Sequence, residues 1–174
     1  MAATRDDLFR YLDGLGIAHS TVEHSPVFTV AQGEAVKKAI PGLHSKNLFL
    51  RSRDERLFLL CAQGSAFVKV NALHRRLGCK RLSFGKPELM EEVLGVAPGS
   101  VTLFALLNDC DGDRERRVTL LLDAVMARAE RVNFHPLLND ASTAISGTDA
   151  VRFAVATGHP PVILSRAELA GEVE

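Results

Sequence analysis

The sequence predicts a mixed α/β fold: one domain over residues 1–174, built on a curved sheet with antiparallel or mixed pairing. Three observations lead there. Segments with helical apolar spacing and cap signals are interleaved irregularly with short β-like runs. Some of those runs are joined by turns too short for the crossover that parallel neighbours need. A chain of 174 residues with 47% hydrophobic and 24% charged content suits one sizeable core, and it carries no repeat or low-complexity linker.

Taken in order, Thr4, the acids Asp6 and Asp7 and the apolar set Leu8, Tyr11, Leu12 and Leu15 predict a capped amphipathic helix closed by Gly14 and Gly16. Residues 17–23 read as a short strand, broken at Ser25-Pro26. Thr29 caps a second helix through Gln32, Glu34 and Lys38, stopped by Ile40-Pro41-Gly42. Residues 46–51 and 57–61, joined by the charged turn 52–56, form a hairpin pattern. Asn71 is the expected cap of a basic helix over 72–77, with Gly78 at its end. Pro87 and Gly95 bracket a helix over 88–94 with proline first and glycine last. Runs 101–107, 117–122 and 131–134 read as strands, 148–157 as a helix and 162–164 as a last strand.

No apolar run approaches the ~20 residues of a membrane span, and the N-terminal stretch has acids where a secretory signal has its apolar centre. A soluble cytoplasmic protein without a membrane partner is expected. Cys61, Cys79 and Cys110 form no CxxC pair, which argues against a disulfide framework and a thiolate metal site; reduced thiols are expected. Equal numbers of basic and acidic residues, 21 each, hide an asymmetry. Residues 35–87 hold 12 Lys/Arg against two acids. Such a segment is either an electrostatic footprint for a polyphosphate or a solvated face whose acidic partners come from elsewhere in the fold.

No P-loop, dinucleotide fingerprint, HExxH or GxSxG occurs. Chemistry must therefore come from oddly placed polar groups. Strand alternation in Lys46-Asn47-Leu48-Phe49-Leu50 puts Lys46 on the face of Leu48 and Leu50 and Asn47 on that of Phe49. Lys46 is either a snorkelling edge charge or a cation positioned for an anionic or carbonyl ligand. The loop from Gly95 through Pro98, Gly99 and Ser100 can turn free N–H groups toward a ligand, or can simply reverse the chain. His135, before Pro136, is either structural or a site residue. The other histidines lack ligand spacing, so no metal site is expected.

The segments His24-Ser-Pro-Val-Phe28, Pro41-Gly-Leu-His-Ser-Lys46-Asn47-Leu-Phe49-Leu50, Leu82-Ser-Phe84, Leu94-Gly95-Val-Ala-Pro98-Gly99-Ser100 and Phe134-His135-Pro-Leu-Leu-Asn139 resemble the YbaK-type aminoacyl-tRNA deacylase superfamily. Within it, the chain is similar to the free-standing branch that edits Ala-tRNA(Pro) in trans, relatives of the editing domain of bacterial prolyl-tRNA synthetases. The resemblance implies a mixed, barrel-like sheet wrapped by helices and hydrolysis of the ester between alanine and the terminal adenosine of tRNA(Pro), with no cofactor. It maps Lys46 onto the lysine that holds substrate, with Asn47 beside it. Gly95, Pro98, Gly99 and Ser100 map onto the loop that orients ester and water, and His135 onto the histidine near the substrate. Val27, Phe28 and Phe49 are expected near the amino-acid pocket. Arg75, Arg76, Lys80 and Arg81 are expected to meet the tRNA acceptor end. Prolyl-tRNA synthetase is a candidate partner, DNA is not. Deacylation of Cys-tRNA(Pro) or another small misacylated tRNA, and tRNA binding without catalysis, are the alternatives.

Overall fold

The structure, a computed structural model, describes residues 1–27, 29–109 and 115–172. Residues 57–63 are apolar on both faces up to Gln63, a pattern that is stable as a strand only when both faces are covered. They form β3 (Leu57–Gln63). Leu57, Leu59 and Cys61 enter the larger core, while Phe58, Leu60 and Ala62 enter a second core on the other side. β2 (Leu43–Ser52) pairs antiparallel with β3, so the expected hairpin forms. β5 (Val118–Asp123) lies parallel on the other edge of β3.

The remaining strands are β1 (Ser20–Glu23), β4 (Leu82–Phe84), β6 (Val132–Phe134), β7 (Ala141–Ile145) and β8 (Val162–Leu164). Together they make one mixed eight-stranded sheet in the order β1-β7-β6-β2-β3-β5-β8, with β4 also on β2. β2 is the fork. At its start it runs parallel to β6, through Leu43 and His44, and at its end antiparallel to β4, through Leu50 to Ser52.

Helices cover both faces. α1 (Arg5–Gly14) has the expected Thr4 cap, completed by Asp7 into a capping box. Its Leu8 and Leu12 join the larger core with α4 (Pro87–Leu94) and α6 (Gly147–Ala156). α3 (Val70–Leu77) and α7 (Arg166–Ala170) bury Leu73 and Leu169 in the second core. α2 (Val30–Ala39) is closed by the Thr29–Gln32 capping box and buries no residue. The four-residue α5 (Ala124–Ala127) follows β5 directly.

Two expectations are corrected. Residues 101–107 are not a strand: Leu103–Asp109 is a 3-10 helix, started by the Thr102 hydroxyl accepting from Phe104 N at 3.3 Å. Leu103 to Leu106 are all buried, and a short run buried all round has no period to read. Asn71 does not cap α3; the helix begins two residues earlier, at Val70, with Lys69 at the cap position and no side-chain cap bond. β7, whose five residues are all buried, gave no alternation in the sequence, and β4, α5 and α7 are too short for a periodic signal.

Gly147 fixes the approach of α6 to α5. A Cβ there would lie 2.1 Å from the Met126 carbonyl oxygen, which is backbone and cannot swing away. Gly147→Ala is therefore expected to cost about 2–3 kcal/mol and lower Tm by roughly 4–12 °C. Gly14→Ala, with open space around its Cβ, should leave Tm unchanged or slightly raised. Thermal unfolding of the two variants checks this, and equal Tm values would refute the packing account.

Candidate active site

The strand order β1-β7-β6-β2 brings together side chains from distant parts of the chain. A cavity of about 110 Å³ opens over these strands. His24 and Ser142 form one wall, His44 and Ser45 another, and Asn133 and His135 lie between. Val27, with Gly33, Val36 and Lys37 of α2, roofs it.

Each of the three imidazoles is oriented by a backbone carbonyl, which can only accept. His24 Nδ1 donates to Ser25 O at 2.9 Å, His44 Nε2 to Ile40 O at 2.9 Å and His135 Nδ1 to Ala141 O at 3.2 Å. In its neutral form His24 then presents Nε2 as acceptor to the Ser142 hydroxyl, 3.0 Å away. Burial pushes the His135 pKa below its ordinary 6.5, against the opposing bond to Ala141, so the ring is neutral near pH 7. Among the described residues no protein group bonds His135 Nε2, which is thus free to accept a proton.

His135 is held from both sides. Phe134, its neighbour on β6, is buried with its ring edge-on to Phe104 at 5.5 Å. After it the chain turns sharply: Leu137 has φ +72° and its N–H bonds His135 O at 2.9 Å. A leucine in the left-handed region is strained and persists only where surrounding structure enforces it. Arg5 of α1 supplies that constraint, donating to Pro136 O at 3.3 Å and pairing with Asp140. The Arg5 bond holds the Asp140 carboxyl below its ordinary range.

Behind Ser45 runs a polar chain. Asn47 Nδ2 donates to Ser45 Oγ at 2.9 Å, and Ser45 Oγ donates to Asn133 O at 2.9 Å. Asn133 Nδ2 bonds Pro41 O and Leu43 O, which fixes its amide and ties down the turn before β2. In that turn Gly42 has φ +99°, and a Cβ would strike Arg131 at 2.8 Å. The Oδ1 atoms of Asn47 and Asn133 stay buried without a partner among the described residues.

The structure gathers only part of the sequence-derived set. Val27 and His135 line the cavity, and Asn47 stands behind it. Lys46 does not line it: alternation turns the side chain to the other face, where its ammonium donates to Ala66 O at 2.5 Å and keeps two donors to offer. Phe49 is core, its ring packed where a Cβ on Gly85 would come within 2.3 Å. Phe28 lies outside the described residues, as does Cys110. Gly95 ends α4 against Asn108, while Pro98 and Gly99 are exposed. A Cβ on Gly99, at φ +89°, would lie 3.8 Å from Asn139 Nδ2, so this loop abuts the 135–140 turn and not the cavity. Ser100 is buried where its N–H closes a turn onto Ala97 O. Arg75, Lys80 and Arg81 are exposed, whereas Arg76 is engaged by Glu168 at 2.6 Å.

Sequence reasoning passed over His24, His44, Ser45, Asn133 and Ser142. The only signal was that His24 and His44 flank the Pro26 and Lys46 segments; Ser142 sits on a strand the sequence did not reveal. A hydroxyl–imidazole–carboxylate row away from the cavity, Thr157–His159–Asp109, holds at 2.9 Å per link but is largely buried, with Thr157 donating to Ala154 O. It anchors the end of α6 to the start of β5 through Asp109, which accepts from Val118 N. Among the described residues no group of three or more His, Cys, Asp or Glu is arranged to hold a metal, and no helix is long and apolar enough to cross a membrane.

The chain belongs to the aminoacyl-tRNA editing domain family, whose model matches residues 24–153. It is accordingly an aminoacyl-tRNA deacylase. Prolyl-tRNA synthetase associated domain-containing protein 1 of Danio rerio is 36% identical over 163 residues, spanning 92% of this chain and 86% of that protein. Prolyl-tRNA editing protein ProX of Acetoanaerobium sticklandii is 28% identical over 149 residues, spanning 85% and 88%. The crystal structure of a candidate trans-editing enzyme for prolyl tRNA synthetase superimposes with TM-score 0.66 at 17% identity, over 94% of this chain and 98% of that one, a likeness of fold.

The lowered His135 pKa couples the site to stability. As pH falls through 6.5 the unfolded chain takes up the proton first, so the native state loses stability between 6.5 and the lower folded value. From pH 7.5 to 5, wild type should lose stability relative to His135→Gln in denaturant unfolding. Parallel profiles would refute the burial of this imidazole as the cause.

Proposed function

We infer that this protein hydrolyses Ala-tRNA(Pro) in trans. The observation that carries the reading is the size of the cavity beside a neutral, oriented His135. The names of the two relatives, one a prolyl-tRNA editing protein, support the choice of tRNA. A synthetase pocket shaped for proline cannot strongly exclude a smaller side chain, because a missing methylene is worth only ~1–3 kcal/mol. A second pocket too small for proline completes the selection. Val27 is the wall we assign to that exclusion.

The reaction asks little of the protein. Water attacks the ester carbonyl carbon, the bond to the terminal ribose oxygen breaks, and that oxygen leaves with a proton, giving alanine and free tRNA. His135 Nε2 is the group placed to take the proton of water. Lys46, whose ammonium makes one hydrogen bond among the described residues, serves the terminal nucleotide, and Asn47 acts through Ser45. The exposed Gly99 and Pro98 and the buried Ser100 shape the approach beside the 135–140 turn. Orienting a reactive ester and its water supplies much of the rate.

Deacylation of a panel of Ala-, Pro-, Cys- and Ser-charged tRNAs tests the reading. Ala-tRNA(Pro) should be cleared and Pro-tRNA(Pro) spared. Lys46→Ala should weaken the hold on the terminal nucleotide and slow hydrolysis of every substrate by about tenfold or more, whereas Val27→Ala should raise the Pro/Ala ratio. Clearance of Cys- or Ser-tRNA in preference to Ala-tRNA would overturn the assigned substrate, and binding without turnover would overturn catalysis.

A further inference from the structure

Residues 35–87 carry 12 Lys/Arg against two acids, but much of that charge is used internally. Arg51 pairs with Glu55 and Arg76 with Glu168. Arg56 lies 5.2 Å over the Phe58 ring and bonds the last carbonyls of α3. Among the described residues, the side chains of Arg53, Lys69 and Arg81 make no hydrogen bond or ion pair. All three line one groove of about 670 Å³ between β4 and the start of α3.

The same groove holds Phe67 and Phe84, 70% and 65% exposed, over a floor that includes the buried Leu82. No acidic residue lines it. A site for another folded protein would deplete charge at its apolar centre. Exposed rings among unpaired cations are instead what single-stranded nucleic acid requires, stacking for the bases and charge for the phosphates.

Its place in the fold fits a strand leading to the cavity. Gly64 N bonds the carbonyl of His44, a cavity residue, at 2.7 Å. Two residues on, Ala66 O holds the Lys46 ammonium, and Phe67 comes next. Phe84 pairs with Leu50, four residues or about 13 Å of strand beyond Lys46 along β2.

We propose that this groove binds the unpaired nucleotides preceding the aminoacylated 3′ end, stacking bases on Phe67 and Phe84 and seating phosphates on Arg53, Lys69 and Arg81. The proposal rests on the reading that the cavity takes the aminoacyl group.

The test is fluorescence anisotropy with a labelled single-stranded pentaribonucleotide ending in CCA, beside a blunt duplex of the same sequence, from 50 to 200 mM salt, on full-length protein. Phe67→Ala and Phe84→Ala should each weaken single-strand binding about tenfold or more, with Phe67→Trp retaining it. Arg53→Gln and Lys69→Gln should each reduce the salt slope by about 0.7. Both rings are exposed, so the fold should survive, as thermal unfolding will show. Absence of single-strand binding, or binding indifferent to all four substitutions, overturns the proposal. So does equal affinity for the duplex, or self-association by light scattering that Phe67→Ala abolishes, which would make the groove an interface between copies. Hydrolysis of the alanine ester of adenosine by wild type reports on the cavity alone, so failure of the deacylase reading and failure of the groove are told apart.

Discussion

The site depends on where β2 and β6 part. The two strands run parallel through Leu43 and His44 and then separate, and the Ser45 hydroxyl reaches Asn133 O in place of a further ladder bond. A continuous ladder would close the sheet and leave no cavity. The opening is stabilised at its root, where the Asn133 amide ties down Pro41 and Leu43. Further along the same edge β2 takes β4 as its partner, so one ten-residue strand carries the cavity wall, the Lys46 ammonium and the frame of the basic groove.

The cavity brings together an imidazole that burial keeps neutral, two further oriented rings and the hydroxyls of Ser45 and Ser142. The backbone carbonyls that fix the three rings shape the cavity as much as the rings do. They determine which nitrogen faces the cavity, a choice that side-chain identity alone leaves open.

What the sequence disclosed follows from the range of the signals. Thr4, Thr29, Pro87 and Gly95 act within one turn of helix, and the caps of α1 and α2 and the ends of α4 formed as read. The hairpin of β2 and β3 was legible because its turn is short and charged. Motifs singled out Lys46, Val27 and His135, of which Val27 and His135 line the cavity, but motifs do not say which way a side chain points. Lys46 turned to the opposite face and Phe49 into the core because strand alternation and the available space by Gly85 decided it. His24, Ser142 and Asn133 meet only through the pairings β1-β7 and β7-β6. No local pattern reports a contact over more than a hundred residues.

The recognisable family segment, residues 24–153, does not coincide with the machinery it names. Arg5, which braces the turn after His135, lies before that segment, and so does Ala3, whose amide bonds Asn108 at 2.7 Å beside the end of α4. β8, which completes the sheet on β5, comes after it. The support of His135 thus reaches back beyond the stretch that the family model matches. A fragment trimmed to the recognisable span would keep every cavity-lining residue and lose the brace that holds one of them in place.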